Sequence, residues 1–217
     1  MNRVIAKSLK DIFSFDVISF VIKISLASMG LSVVISYMFW HKLVSVVSSY
    51  LSYIPWSWLQ TTGVTIVTFF VAYILFTIII SLLTSLYSEK LLIKLAKKHY
   101  PNTHIVGVPS ITKSLLITLK ATAIFILLFI VLFLTLFIPI IGQIIMLYLW
   151  SILLKEPTIY DVGALFIEDK ERLKAKRAKT RTLAMVASLF NYIPIFNIFA
   201  PIFAQIMFLH HILKDEN

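Results

Sequence analysis

Charged residues are so sparse that they divide the chain into four long runs of uncharged, mainly apolar residues. The runs cover residues 24–40, 43–88, 121–154 and 182–213. A membrane-spanning helix needs about 20 apolar residues, so each run is close to or longer than one span. The pattern predicts an all-α polytopic membrane protein, with residues 1–217 forming a single integral membrane domain.

The first two runs predict two long transmembrane helices. An amphipathic stretch over residues 1–16 precedes them and suits a helix lying on the membrane surface. The first span is expected over residues 17–40 and ends in aromatic residues, which are typical of the membrane interface. The second run has a turn around Pro55 and then no proline before Pro101. One long helix over residues 58–100 is therefore expected, with its last part extending into the cytoplasm.

The third and fourth runs are too long for one span, too short for two, and broken near the middle. Proline removes a helical hydrogen bond, and glycine and asparagine tolerate turn conformations. The predicted structural breaks are Pro139 with Gly142, and Pro194 with Asn197 and Pro201. We expect two broken, re-entrant helical hairpins over residues 121–154 and 182–213. Single kinked spans and fully crossing hairpins are the alternatives.

Charge indicates the orientation of these elements. The net charge is +10, from 20 Lys plus Arg against 10 Asp plus Glu. In so apolar a chain this excess is typical of cytoplasmic loops and does not indicate a nucleic-acid partner. The basic segments are residues 1–23, 88–120 and 155–181, and the hairpins bring all three to one side. Both termini are then cytoplasmic.

The two breaks share a six-residue pattern. Residues 137–142 read Phe-Ile-Pro-Ile-Ile-Gly, and residues 192–197 read Tyr-Ile-Pro-Ile-Phe-Asn. A third Ile-Pro at Ile54 leaves chance as the alternative to an internal repeat. Corresponding breaks mark the binding region of many transporters, and exposed helix ends suit an anion. The candidate substrate-binding or pathway residues are Lys23, Gly142, Gln143, Asn191, Asn197 and Gln205, and hydrogen bonding between helices is the alternative role for their amides.

Other chemistry is not expected. The chain has no cysteine, so disulfides and thiolate sites are excluded. No phosphate-binding loop or hydrolase motif occurs, and none of the five histidines has a carboxylate at i+3 or i+4 on a membrane-facing helix. We predict no catalytic residue, no metal, no cofactor and no enzymatic activity. No acidic residue lies inside a run, which argues against a buried carboxylate relay.

Two segments resemble a known family. Residues 137–143, Phe-Ile-Pro-Ile-Ile-Gly-Gln, and the pattern from Ser188 to Asn197 resemble the CysZ family of bacterial sulfate permeases. Its superfamily includes the eukaryotic etoposide-induced membrane proteins. The resemblance implies two long spanning helices, two half-penetrating helix pairs, cytoplasmic termini and a homo-oligomer that is a dimer or larger. It also implies sulfate uptake for cysteine synthesis through a bacterial inner membrane.

The resemblance leaves two functional hypotheses. The family's arginine pair, associated with sulfate binding, falls on Ser19 and Phe20, and Lys23 is the nearby cation. The first hypothesis is a channel or permease for an inorganic anion, with sulfate suspected. The alternative is a non-transporting membrane protein that organises lipids or protein partners.

Overall fold

The structure is a computed structural model that describes residues 2–53, 55–177, 180–193 and 196–214. Within these ranges the chain is helical and contains no β-strand. Short 3-10 helices cover Phe133–Phe137, Leu189–Tyr192 and Phe196–Phe199. The α-helices are α1 (Asn2–Ile12), α2 (Phe15–Leu51), α3 (Ser57–Tyr87), α4 (Glu89–His99), α5 (Ile111–Leu132), α6 (Ile141–Phe166), α7 (Lys170–Arg177), α8 (Thr180–Ser188) and α9 (Ala200–Leu213).

Helices α2 and α3 are the two longest elements, and they pack along each other. At about 1.5 Å per residue, their 37 and 31 residues measure roughly 56 and 46 Å. Helix α2 continues past the expected end at residue 40. His41 and Lys42 end the uncharged run there, but neither residue type breaks a helix. The expected helix over residues 58–100 is interrupted at Ser88 and therefore forms α3 and α4.

The first hairpin consists of α5, the 3-10 helix Phe133–Phe137 and α6. It is longer than the expected 121–154, because helix continues through Lys113 and Lys120 on one side and Lys155 and Glu156 on the other. Lysine and glutamate are good helix formers, so the charges that bounded the apolar run do not bound the helices.

The second hairpin consists of α8, two 3-10 helices and α9. Every residue of α9 is buried, and the helix packs against α1, α3, α4, α6 and α8. Helix α9 is therefore the centre of the larger apolar core. Pro201 lies in its first turn, where a missing N–H costs little, so this proline begins the helix and does not interrupt it.

Four helical segments are long and apolar enough to cross a membrane. They are Phe15–Leu51, Gln60–Tyr87, Ile111–Phe137 and Phe196–Leu213. The first three turn most of their surface outward, whereas 78% of the fourth is buried inside the protein. Length and composition thus identify an all-helical membrane protein whose last apolar segment is enclosed by the others.

The first two positions of the six-residue pattern adopt the same local backbone in both copies. Phe137 and Tyr192 each end a 3-10 helix. The isoleucines that follow, Ile138 and Ile193, are both extended, with φ/ψ of −78°/118° and −106°/112°. This conformation is the one favoured before proline. Pro194 lies outside the described residues, so the correspondence applies to the positions before it.

Candidate functional site

A hydrogen bond links the two breaks, and a second one links the second break to the middle of α3. The Tyr192 hydroxyl donates a hydrogen bond of 2.6 Å to the backbone oxygen of Gln143. The Asn197 Nδ2 donates one of 3.1 Å to the hydroxyl oxygen of Tyr73 on α3. The second break therefore connects three of the elements predicted from sequence, namely the two broken hairpins and the second long helix.

The first break contains a strained turn. Ile140 has φ 67° and ψ −53°, and the Ile141 N–H donates to the Pro139 oxygen at 2.7 Å. A hydrogen bond across two residues with a positive φ at the centre is a γ-turn, which is rare for a β-branched residue. The sequence suggested Gly142 as the residue in a turn conformation, but no described glycine has a positive φ.

Gly142 is required for a different reason. It is buried at the start of α6, and a Cβ on it would lie 2.1 Å from the backbone oxygen of Leu136. The 3-10 helix therefore folds back onto the first turn of α6 only because residue 142 has no side chain.

Asn191, on the second hairpin, is half-buried, and its Oδ1 has no hydrogen-bond partner among the described residues.

Gln205 belongs to a separate polar cluster around Asp161. The Asp161 carboxylate is buried and accepts hydrogen bonds from Ser85 of α3 and Ser114 of α5. Gln205 of α9 donates a third through Nε2, at 3.2 Å. Because Asp161 is on α6, four helices are joined through one carboxylate. Three donors compensate the cost of burying it.

A small cavity opens beside this carboxylate. Its volume is about 170 Å³, and Ser85, Ser88, Glu89, Ser114 and Asp161 contribute the polar part of its lining. Within the described part of the chain, the Ser88 hydroxyl and Gln205 Oε1 are buried without a hydrogen-bond partner. The cavity thus combines two acidic side chains with hydroxyl groups at the junction of the long helices and the hairpins.

Asp161 was missed because it lies outside the uncharged runs. The argument against a buried carboxylate relay considered only the uncharged runs and therefore did not include this buried residue. One signal was present in the sequence: Asp161 is the only charged residue from Pro157 to Ile167. A lone charge inside an apolar helical stretch indicates a buried, hydrogen-bonded group.

The half-buried cation beside the hairpins is Arg181 and not Lys23, the cation predicted from the sequence. Lys23 is exposed on α2, whereas Arg181 at the start of α8 is half-buried. Arg181 donates from Nη1 to the Ser151 hydroxyl at 3.2 Å, and its Cζ lies 4.8 Å from the centre of the Tyr148 ring. Ser19 and Phe20, at the positions of the family's arginine pair, are half-buried in α2.

A second charged group lies between the first hairpin and α7. Glu156 accepts a hydrogen bond of 2.7 Å from Arg177 and lies 3.0 Å from the Lys155 ammonium. Burial alone would raise the pKa of this carboxyl, but Arg177 and Lys155 outweigh burial and hold the pKa below its usual value. The cluster therefore keeps a net positive charge.

The N-terminal helix carries a third polar cluster. The Asp11 carboxylate lies between two imidazoles, with His99 Nε2 at 2.7 Å and His210 Nε2 at 2.8 Å. Burial opposes ionisation of Asp11, yet hydrogen bonds from His210 and His99 lower its pKa overall. No spacing rule could find this cluster, because Asp11 is separated from its partners by 88 and 199 positions.

Comparison with known proteins places the chain in a family. No curated protein and no solved structure matches it. One family model, described as sulfate transporter CysZ/etoposide-induced protein 2.4, matches residues 4–201. The match covers both long helices, the first hairpin, and the second hairpin as far as the beginning of α9. The chain belongs to the CysZ/etoposide-induced protein family of integral membrane proteins, and the resemblance noted in the sequence is confirmed.

Proposed function

We propose that the protein is a permease or channel for a sulfate-like inorganic anion. The observation that carries this proposal is the contact between two corresponding helix breaks, in a chain whose family is described as sulfate transporter CysZ/etoposide-induced protein 2.4. Breaks of this kind form substrate sites in many transporters, because they free backbone groups at membrane depth. We propose further that it forms a homo-oligomer in a bacterial inner membrane and performs no enzymatic reaction.

We propose that the two hairpins enter the membrane to different depths. Ser114 pairs with Ser85, and Phe129 contacts Phe70, so α5 runs antiparallel to α3 at constant register. If the same register continues for the eight residues after Phe129, Phe137 is level with Thr62. That level is roughly 35 Å from Ser85 along α3. Asn197 of the second hairpin meets Tyr73, only about 18 Å from Ser85. With a hydrocarbon core of about 30 Å, the first hairpin is long enough to cross and the second is re-entrant.

Labelling tests this topology, and the absence of cysteine makes the background clean. Ser45→Cys, Ser110→Cys and Lys174→Cys alter exposed positions on α2, before α5 and on α7. In intact cells an impermeant maleimide is expected to label only Ser45→Cys. The other two variants should react only after the membrane is permeabilised, which would locate both ends of the first hairpin on the cytoplasmic side. Labelling of Lys174→Cys in intact cells would contradict the proposed topology.

We propose Arg181 as the cation that a substrate anion meets near the hairpins. A desolvated dianion needs charge-assisted donors, and the guanidinium offers several in a fixed geometry. Arg181 uses one donor on the Ser151 hydroxyl and packs on Tyr148.

Uptake of radiolabelled sulfate into proteoliposomes tests the function. We expect saturable uptake with the wild type, a marked loss with Arg181→Ala, and no change with Arg3→Ala, which alters an exposed arginine of α1. Absence of saturable uptake by an intact, correctly oriented oligomer would refute the sulfate proposal. Uptake that is equal in Arg181→Ala and wild type would refute only the role of Arg181.

The alternative, a protein that organises lipids, is supported by one groove. The groove measures about 490 Å³ and lies between α5, α6 and α7. Its wall is apolar, with Ile117, Ile124 and Ile152, and its charged residues are Lys120, Arg177 and Glu156. An acyl chain beside a phosphate headgroup suits such a lining. Retention of anionic lipid through purification, together with no anion flux, would favour this alternative.

A further inference from the structure

We propose that Asp11, His99 and His210 form a binding site for a first-row divalent cation, with zinc the best fit. The three residues come from α1, α4 and α9, and their ligand atoms all lie within 4.8 Å of one another. This site is independent of the proposed transport function, because none of its residues belongs to the helix breaks.

The geometry already brings three ligand groups together. His99 Nε2 lies 2.7 Å from Oδ1 of Asp11, and His210 Nε2 lies 2.8 Å from Oδ2 of the same carboxylate. Zinc binds imidazole nitrogen and carboxylate oxygen at about 2.0–2.2 Å, which corresponds to ligand atoms roughly 3.4 Å apart. Each nitrogen–oxygen pair must therefore separate by about 0.6 Å to admit the ion. The cation then replaces the protons that now bridge these atoms.

Burial favours a fixed site. The side chains of Asp11 and His210 are 2% and 1% exposed, whereas that of His99 is 18% exposed. Two ligands are therefore held rigidly, and the third lies at the edge through which an ion can enter. A set of two imidazoles and one carboxylate matches zinc and other first-row cations, while calcium and magnesium prefer oxygen ligands alone.

An outer partner for one imidazole is already present. The Tyr100 hydroxyl lies 3.0 Å from Nδ1 of His210. When Nε2 binds a metal, Nδ1 carries the proton, and the Tyr100 oxygen is positioned to accept it. Such outer hydrogen bonds orient metal-binding histidines and fix their tautomer.

Two lysines lie near the cluster and influence its affinity. Lys98 Nζ is 3.9 Å from Asp11 Oδ1, and Lys7 Nζ lies 4.1 Å above the Tyr100 ring. The Lys98 side chain is largely exposed, so it can move into solvent when a divalent ion binds. Lys98 therefore competes with the metal, and its neutralisation should strengthen binding. A bound ion would fasten the N-terminal helix to the end of the central helix α9.

Zinc titration of the full chain tests the proposal. The protein is purified in detergent without a polyhistidine tag, treated with a chelator, and titrated calorimetrically with zinc chloride. We expect one zinc ion to bind per chain. Loss of a hydrogen-bond partner of a metal ligand weakens metal affinity roughly 10–100-fold, and His99→Gln, which removes a ligand itself, should weaken it more than that. Tyr100→Phe should weaken it roughly 10–100-fold, and Lys98→Gln should strengthen it.

Two exposed histidines provide matched controls. His41→Gln and His104→Gln remove imidazoles outside the cluster and should leave zinc affinity unchanged. His99 is chosen for the main variant because it is the least buried ligand, and an unchanged elution volume verifies its fold. No stoichiometric binding by the wild type, or equal affinity in wild type and His99→Gln, would overturn the proposal.

Discussion

Substitution of Gly142 by alanine tests how closely the first hairpin folds back on itself. The added Cβ would lie 2.1 Å from the oxygen, 2.6 Å from the carbonyl carbon and 2.9 Å from the Cα of Leu136. These are backbone atoms, so no side-chain rotation relieves the overlap. The 3-10 helix must move by about 1 Å, which disturbs the Gly142 N–H bond to the Ile138 oxygen, now 2.8 Å.

The expected cost follows from overpacking. Inserting a methyl group into a closely packed site destabilises a protein by about 1–3 kcal/mol. A gain in helix propensity offsets little of this, because Gly142 lies in the first turn of α6. For a protein of about 150–250 residues, 1 kcal/mol corresponds to roughly 2–4 °C in Tm. Gly142→Ala should therefore lower the Tm in detergent by several degrees.

Gly30→Ala is the matched control. Gly30 lies inside α2, and a Cβ on it would have no atom within 4 Å. Alanine is favoured over glycine within a helix by about 1 kcal/mol, so this variant should have a slightly raised Tm. Thermal unfolding followed by size-exclusion chromatography measures both variants. A Tm for Gly142→Ala equal to or above that of the wild type would refute the close approach to Leu136.

Three other substitutions test separate features of the molecule. Ile140→Gly relieves a strained positive φ that costs about 1–3 kcal/mol, so its Tm should rise; a fall would show that the isoleucine side chain matters more than the strain. Tyr73→Phe removes the hydroxyl that accepts the Asn197 amide, so sulfate uptake should slow while the oligomer persists; unchanged uptake would separate this contact from the pathway. In the folded protein Arg177 and Lys155 lower the pKa of Glu156 despite burial. The ionised Glu156 therefore stabilises the folded state above its ordinary pKa near 4.5, and this contribution is lost as pH falls below that value. Because the Glu156 side chain is 40% exposed, its contribution is below about 1 kcal/mol, and Glu156→Gln should flatten the acid side of a Tm–pH profile; an unaltered slope would contradict the interpretation.

The positions of the breaks were predictable, but their internal geometry was not. A proline inside a helix removes a hydrogen bond, so Pro139, near the middle of an over-long apolar run, identified the first break from the sequence alone. Which neighbour adopts the positive φ depends on how α6 returns beside α5. That constraint places Ile140 in the turn and leaves Gly142 as the position of closest approach.

The candidate site was predictable only in part. Gln143 and Asn197 lie at the meeting point of the breaks, as the repeated pattern indicated. Gln205 instead joins Asp161, and Lys23 is exposed on α2. The side chain of a helical residue can face any neighbour, and a single sequence does not specify which helices surround it.

The sequence by itself determined that this is a helical membrane protein with two long helices and two broken hairpins. Apolar run length, proline position and lysine distribution are local properties, and the membrane acts on them directly. The tertiary structure alone decided that α9 is enclosed and that Asp11 and Asp161 are buried. A carboxylate is tolerated in an apolar interior only when distant donors converge on it, and that convergence is a property of packing, not of spacing.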